Sequence, residues 1–240
     1  MELPATRHSV VAALRSGNPE VRRDGFETIV AVYWKPVYKY VRLKWHLDGD
    51  AAQDTTQEFF ARAFEKGFFE PFDPAKARFR TFLRLCLDRF VANERKAAQR
   101  LKRGGGLRIV PLDFETAEGE LRRHDVAVPA DLEDYFHREW TRSLFALAVD
   151  DLRDEYTRTG KDRQFQIFQR YDLDSPGDSS PPTYADLAAA FGVTTSDVTN
   201  YLSAARRTFR RLLLDRLRAI CSDGGEFEAE ARQLLRGGFR

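Results

Sequence analysis

Cysteine is scarce in this chain: 240 residues contain two, Cys86 and Cys221, far apart and without metal-ligand spacing. That excludes a disulfide framework and a zinc site built from sequence neighbours, and both residues are expected to be reduced thiols in a cytosolic protein. Histidine is sparse as well. His8, His46, His124 and His137 are scattered, with no paired spacing for a metal. Long hydrophobic runs are missing: nothing approaches the roughly 18–20 apolar residues that span a bilayer. Residues 10–14, Val-Val-Ala-Ala-Leu, are too short for a signal-peptide core. The expectation is a soluble, cytoplasmic protein with no membrane partner. Common catalytic signatures are also missing. There is no Gly-x-Ser-x-Gly, and Gly104-Gly105-Gly106 has no Lys-Ser/Thr after it to make a phosphate-binding loop. The chain is therefore read as a non-enzyme, with no catalytic residues, metal or cofactor.

What the sequence does contain is helical periodicity and segregated charge. Hydrophobic residues make up 42% and aromatics 12%, ample for packed cores, and charged residues make up 32%, which suits helices with solvated faces. Gly and Pro fall in clusters rather than at regular strand-turn intervals. The net charge of +2 hides opposite blocks. Residues 73–110 carry eleven Lys/Arg against three Asp/Glu, residues 111–137 carry two against eight, and residues 203–218 carry six against one. Two basic stretches separated by an acidic one point to two polyanion-binding surfaces joined by a segment that must not stick to them.

Along the chain, residues 23–46 are rich in aromatic and β-branched side chains, with a kink or boundary expected at Pro36. Asp48-Gly49-Asp50 is a turn and N-cap signal before a helix over 51–66, whose apolar stripe is Thr56, Phe59, Phe60, Ala63 and Phe64. The longest periodic run is Phe79, Phe82, Leu83, Cys86, Leu87, Phe90 and Val91. It predicts a helix from Arg78 with one buried face, continuing in basic character to Arg103 and ended by the three glycines. Phe82, on that stripe, is read as core. Residues 107–136 show no sustained period and are read as a linker. Helices follow around Trp140, Leu144, Leu147, Ala148 and Leu152, and around Phe165, Ile167, Phe168 and Tyr171. The tail from Asp223 holds a short amphipathic piece over 227–235.

The clearest local signal is residues 183–198. Thr183 can cap a helix with Leu187, Ala188 and Phe191 apolar, and Gly192 suits the left-handed residue of a tight turn. Thr194, Thr195 or Ser196 caps the next helix, whose buried face is Val198, Leu202, Ala205, Phe209 and Leu212. This predicts a helix-turn-helix. Its second helix would offer Thr195, Ser196, Thr199, Asn200 and Ser203 to base edges and sugar-phosphate, with Arg206, Arg207, Arg210 and Arg211 behind them for phosphates.

Three segments in order resemble the sigma-70 family of bacterial RNA polymerase sigma factors, in particular the extracytoplasmic-function (ECF) group. Gln53-Asp54-Thr55-Thr56-Gln57-Glu58-Phe59-Phe60-Ala61-Arg62 is similar to the family's core-polymerase-binding helix. Phe79-Arg80-Thr81-Phe82-Leu83 with Phe90-Val91-Ala92-Asn93-Glu94-Arg95 is similar to the helix that melts and reads the promoter −10 element. Residues 183–211 are similar to the fourth-domain helix-turn-helix that reads the −35 element. The resemblance covers about residues 18–218. It departs from the family at Phe82, where many members have Trp; at Arg89, where many have Asn; and at Gln53 and Thr55, where an acidic residue and Leu are usual.

The resemblance implies an all-α protein with two helical domains joined by a linker. Residues 1–106 would be a domain for core and −10 binding, 107–136 an acidic linker, 137–222 the −35 domain, and 223–240 an extension. It implies core contacts at Asp54, Gln57, Glu58 and Arg62. It implies −10 contacts from Arg84, Arg89, Asn93, Arg95, Lys96, Arg100 and Arg103, with Phe68, Phe69 and Phe72 as candidates to accept a flipped base. The implied partners are core RNA polymerase (the β′ clamp region and the β subunit) and promoter DNA, with an anti-sigma factor as a further candidate. The acidic linker would shield the basic domains or occupy the polymerase's RNA channel. A conventional helix-turn-helix repressor or activator is the alternative: it would use residues 183–211 equally well but would not need the first two segments.

Overall fold

The computed structural model describes residues 10–98, 112–123, 131–174 and 182–237. These are all-α, with no β-strand among them. In order the helices are α1 (Val10–Ala13), α2 (Pro19–Lys44), α3 (Gly49–Glu65), α4 (Phe79–Ala98), α5 (Phe114–Arg123), α6 (Leu132–Arg158), α7 (Asp162–Phe168) followed by a π-helical turn (Gln169–Leu173), α8 (Tyr184–Phe191), α9 (Thr195–Ile220) and α10 (Gly224–Gly237). They form two compact units, residues 1–143 with 217–240, and residues 144–216. The divisions between these units fall inside α6 and α9.

The first unit is built around α2. Asn18 caps it by accepting the Glu20 N–H, and Pro19 occupies its first turn. Phe26, Ile29, Val30, Val32, Tyr33, Val37, Tyr38, Tyr40 and Val41 are all buried, so this helix is covered on several sides. That breadth explains why α2 runs through Pro36 with no boundary there. An interior proline costs about 3 kcal/mol, whereas each large buried apolar side chain contributes about 1.5–3 kcal/mol. Gly25 lets α1 approach: a Cβ there would stand 2.8 Å from the Ala13 Cβ.

Asp48 caps α3 by accepting the Ala51 N–H at 2.8 Å. Thr56, Phe59, Phe60 and Ala63 are buried as the period requires, while Phe64 is half-buried. On α4 the stripe Phe79, Leu83, Leu87, Phe90 and Val91 is buried, and Phe82 and Cys86 are only half-buried. Between α3 and α4 the chain turns inward at Gly67 (φ 61°), and the Arg15 guanidinium donates to the Glu70 carbonyl at 3.0 Å and also to that of Phe72. Phe69 and Phe72 are consequently core, packed edge-on against Phe79 at centroid distances of 5.6 and 5.2 Å. They are not available to accept a base, which corrects that expectation for both.

Residues 112–123, expected to be linker, hold a helix. Asp113 caps α5 through the Thr116 N–H, and Phe114, Ala117 and Leu121 are buried against α2, where Phe114 meets Trp34 and Tyr38 edge-on at 5.4 and 5.1 Å. Its carboxylates are fixed there too. Glu118 pairs with Arg42 at 2.7 Å and accepts from the Tyr38 hydroxyl at 2.6 Å, while Glu120 pairs with Lys35 and Lys39. Lys39 and Glu139 of α6, each 3% exposed, face one another at 2.5 Å. Within these residues the acidic block fastens one helix to another. Residues 131–136 of the expected linker open α6, with Tyr135 and Phe136 buried, and residues 107–111 and 124–130 lie outside the described residues.

In the second unit, Leu144, Ala148, Leu152 and Tyr156 of α6, Phe165, Ile167 and Phe168 of α7, Leu187 of α8, and Val198, Leu202, Ala205, Phe209 and Leu213 of α9 form the core. Leu213 rather than Leu212 takes the buried position after Phe209, because the stripe advances by four residues at that step.

Candidate nucleic-acid interface

α8 and α9 are joined by a three-residue turn, residues 192–194, and the same capping chemistry stands at both helix starts. Thr183 and Asp186 form a reciprocal capping box at α8. Thr194 and Asp197 repeat it at α9: the Asp197 N–H donates to the Thr194 hydroxyl at 3.1 Å, and the Thr194 N–H donates back to the Asp197 carboxylate at 3.0 Å. The Thr hydroxyls hold both Asp carboxyls below their usual range. Gly192 takes φ 62°, the left-handed conformation that a side chain disfavours, and its N–H closes onto the Ala188 carbonyl.

With Val198, Leu202 and Ala205 turned inward, the opposite face of α9 presents Ser196, Thr199, Asn200, Ser203, Arg207 and Arg210, all exposed at helical spacing, with Thr195 exposed at the start. The Thr199 hydroxyl donates to the Thr195 carbonyl at 3.0 Å. Arg207 and Arg210 make no ion pair among the described residues. Arg206 is placed differently. Both arms of its guanidinium hold Asp172 of the π-helical turn, at 3.1 and 2.8 Å, and its plane lies over the Tyr171 ring. Arg211 holds Glu155 at 2.7 Å and Arg216 holds Asp151 at 2.6 Å. The hydrogen bonds to these carboxylates push all three guanidinium groups further towards permanent charge.

The first unit carries two further surfaces named by the sequence. On α3, Asp54 is exposed and Gln57 half-buried. Glu58 is paired with Arg62 at 2.6 Å, and Arg62 reaches Glu94 of α4 at 2.6 Å. On α4, Arg89, Asn93 and Lys96 are exposed along one stripe with Leu85, itself 43% exposed. Arg89 and Lys96 make no ion pair among the described residues. Arg84 is instead half-buried against Glu133, Asp88 and the Tyr40 hydroxyl. Arg95 is tied to the Trp45 carbonyl at 2.5 Å and lies over its ring at 4.8 Å. Arg100 and Arg103 lie outside the described residues. Phe68 and Phe82 are half-buried at the rim of the aromatic core, Phe82 5.3 Å from Phe72. The Cys86 thiol is pushed up to about 11 by burial, so it is no nucleophile at neutral pH.

Sequence reasoning missed the partners of these cations. Asp172, Glu133 and Glu230 lie tens of residues away from the arginines they hold, and no local period announces them. It also missed Leu85, whose exposure follows from its lying opposite Leu83 and Leu87. Among the described residues no group of His, Cys, Asp or Glu could hold a metal ion, and no helix is long and apolar enough to cross a membrane. No family model, no curated protein and no solved structure matches the chain.

Proposed function

We propose that this chain is a promoter-recognition subunit of RNA polymerase, acting as a sigma factor of the ECF type. The carrying observation is the α8–α9 pair: two capped helices about a left-handed Gly192, with a polar stripe on the outer face of the second and two arginines there that make no ion pair among the described residues. In this reading the pair is a helix-turn-helix, and α9 enters a major groove. Ser196, Thr199, Asn200 and Ser203 meet base edges and sugar-phosphate, and Arg207 and Arg210 supply phosphate contacts. Thr195 lies at the leading end of the same face. Arg206 supports the helix from behind by holding Asp172.

The reading extends to the first unit through the sequence resemblance. The exposed stripe Leu85, Arg89, Asn93 and Lys96 would contact the −10 strand, and Asp54 with Gln57 would meet core polymerase. One observation favours a conventional repressor or activator instead: Glu58 and Arg62 already satisfy each other and Glu94, which leaves α3 a thinner charged edge than the sequence suggested.

Charge reversal separates the two readings. In the full chain, Asp54→Lys with Glu58→Lys is expected to abolish co-elution with core polymerase while leaving affinity for a duplex bound through α9 unchanged. Retained co-elution would remove α3 from the proposal.

A further inference from the structure

Arg78 and Arg80 flank the first residue of α4, and both are held by the C-terminal helix. Glu230 of α10 accepts from Arg78 at 3.0 Å and from Arg80 through the same oxygen. The Phe79 backbone N–H, one of the orphan donors at the start of α4, donates to Glu226 Oε1 at 3.1 Å. A helix normally takes its capping acceptor from the residue before it, but here that residue is arginine, which has no acceptor. The acceptor comes instead from 147 residues further along the chain.

Two guanidinium groups meeting at Glu230 and the helix-start N–H of the residue between them, held by Glu226 one helical turn away on α10, make an anion site that carboxylates fill incompletely. Glu230 is 2% exposed, yet its second oxygen, Oε2, has no hydrogen-bond partner among the described residues. A buried carboxylate oxygen without a donor is costly, so the fit favours a different anion. The hold of α10 is also weak in apolar terms. Leu234 is its one buried apolar side chain, while Phe227 is half-buried beneath the Arg218 guanidinium at 4.4 Å. Charge, more than apolar burial, keeps it in place, and charge can be exchanged.

We infer that Arg78, Arg80 and the Phe79 N–H form a phosphodiester-binding site for single-stranded nucleic acid, and that Glu226 and Glu230 occupy it in the free protein. α10 then acts as a competing polyanion, displaced when a strand arrives along α4. This rests on the reading that α4 contacts DNA, and its test is kept separate from the test of α9.

The experiment measures binding of labelled oligothymidine to the full chain at fixed salt. Glu226→Gln with Glu230→Gln is expected to tighten binding about tenfold or more, because the open site is populated more of the time. Adding Arg78→Ala and Arg80→Ala should abolish that gain. A folded Gln variant, checked by its circular-dichroism melt, that binds no more tightly than the wild type would overturn the inference. Should the Gln variant not fold, hydrogen exchange on the wild type decides. Saturating oligothymidine should speed exchange over residues 224–237, and unchanged exchange there overturns the site. If the wild type ignores duplex while the Gln variant still gains oligothymidine affinity, the promoter reading fails and the site stands.

Discussion

α4 and α9 are both long, arginine-rich helices, but their exposed faces differ in what accompanies the cations. On α9 the unpaired Arg207 and Arg210 continue a stripe of small hydroxyl and amide side chains. On α4 the unpaired Arg89 and Lys96 share a stripe with Asn93 and the exposed Leu85. Other arginines of these helices fasten the fold: Arg206, Arg211 and Arg216 of α9 hold acids within the second unit, and Arg80 and Arg84 of α4, with Arg78 just before it, hold acids within the first. A count of basic residues therefore overstates the polyanion surface on either helix. What sets that surface is which cations remain without an acidic partner.

Sorting cations into fasteners and free ones can be broken by substitution. The strongest fastener is Lys39, buried between Glu120 and Glu139. Lys39→Ala leaves Glu139 buried with only the Arg142 contact, and should destabilise the first unit by about 3–5 kcal/mol, read in a urea melt. A loss below about 1 kcal/mol would show that the cluster is dispensable. Next comes the free pair. Arg207→Ala with Arg210→Ala should leave the melting temperature unchanged and reduce the slope of log affinity for duplex against log salt by about two. An unchanged slope would remove both residues from the interface.

Arg206→Ala should do the reverse. It is expected to cost about 1 kcal/mol of stability, since the pair with Asp172 is only partly buried, with the salt slope retained. Smallest is the effect at Cys86. Its alkylation by iodoacetamide should keep rising with pH toward about 11, because burial holds the thiol protonated, instead of levelling near the ordinary thiol range of about 8.5. A plateau near that ordinary value would mean the thiol is open to solvent.

The elements legible in the sequence are those whose burial follows a single face. α3, α4, α8 and α9 each carry apolar residues at three- and four-residue steps; Thr183 caps α8 where the sequence places it, and Asp48 and Thr194 are among the cap candidates that the sequence offers for α3 and α9. α2 was obscured because it is covered on several sides, so its apolar residues show no stripe and Pro36 looked decisive. α5 was missed because Gly119 interrupts a short pattern of Phe114, Ala117 and Leu121 and because its carboxylates looked like solvated charge. Their partners, Lys35, Lys39 and Arg42, lie 76 to 85 residues away.

The candidate site divides in the same way. The polar face of α9 follows from helical spacing alone. That Arg206, Arg84 and Arg62 are engaged does not, since each pairing depends on an acid brought in by another element. Phe69 and Phe72 were misplaced because an aromatic residue in a turn reads as exposed unless the inward path of that turn is known.

The proposed role, giving RNA polymerase its promoter specificity, is measured directly by transcription. Core polymerase should be mixed with the purified chain and genomic DNA, and the 5′ ends of the transcripts mapped. The account predicts that the chain co-elutes with core and that RNA starts at a small set of defined sites, lost with Asn200→Ala and Arg210→Ala together. Tight duplex binding by the chain alone, with neither co-elution nor defined starts, would contradict it and leave a conventional DNA-binding regulator.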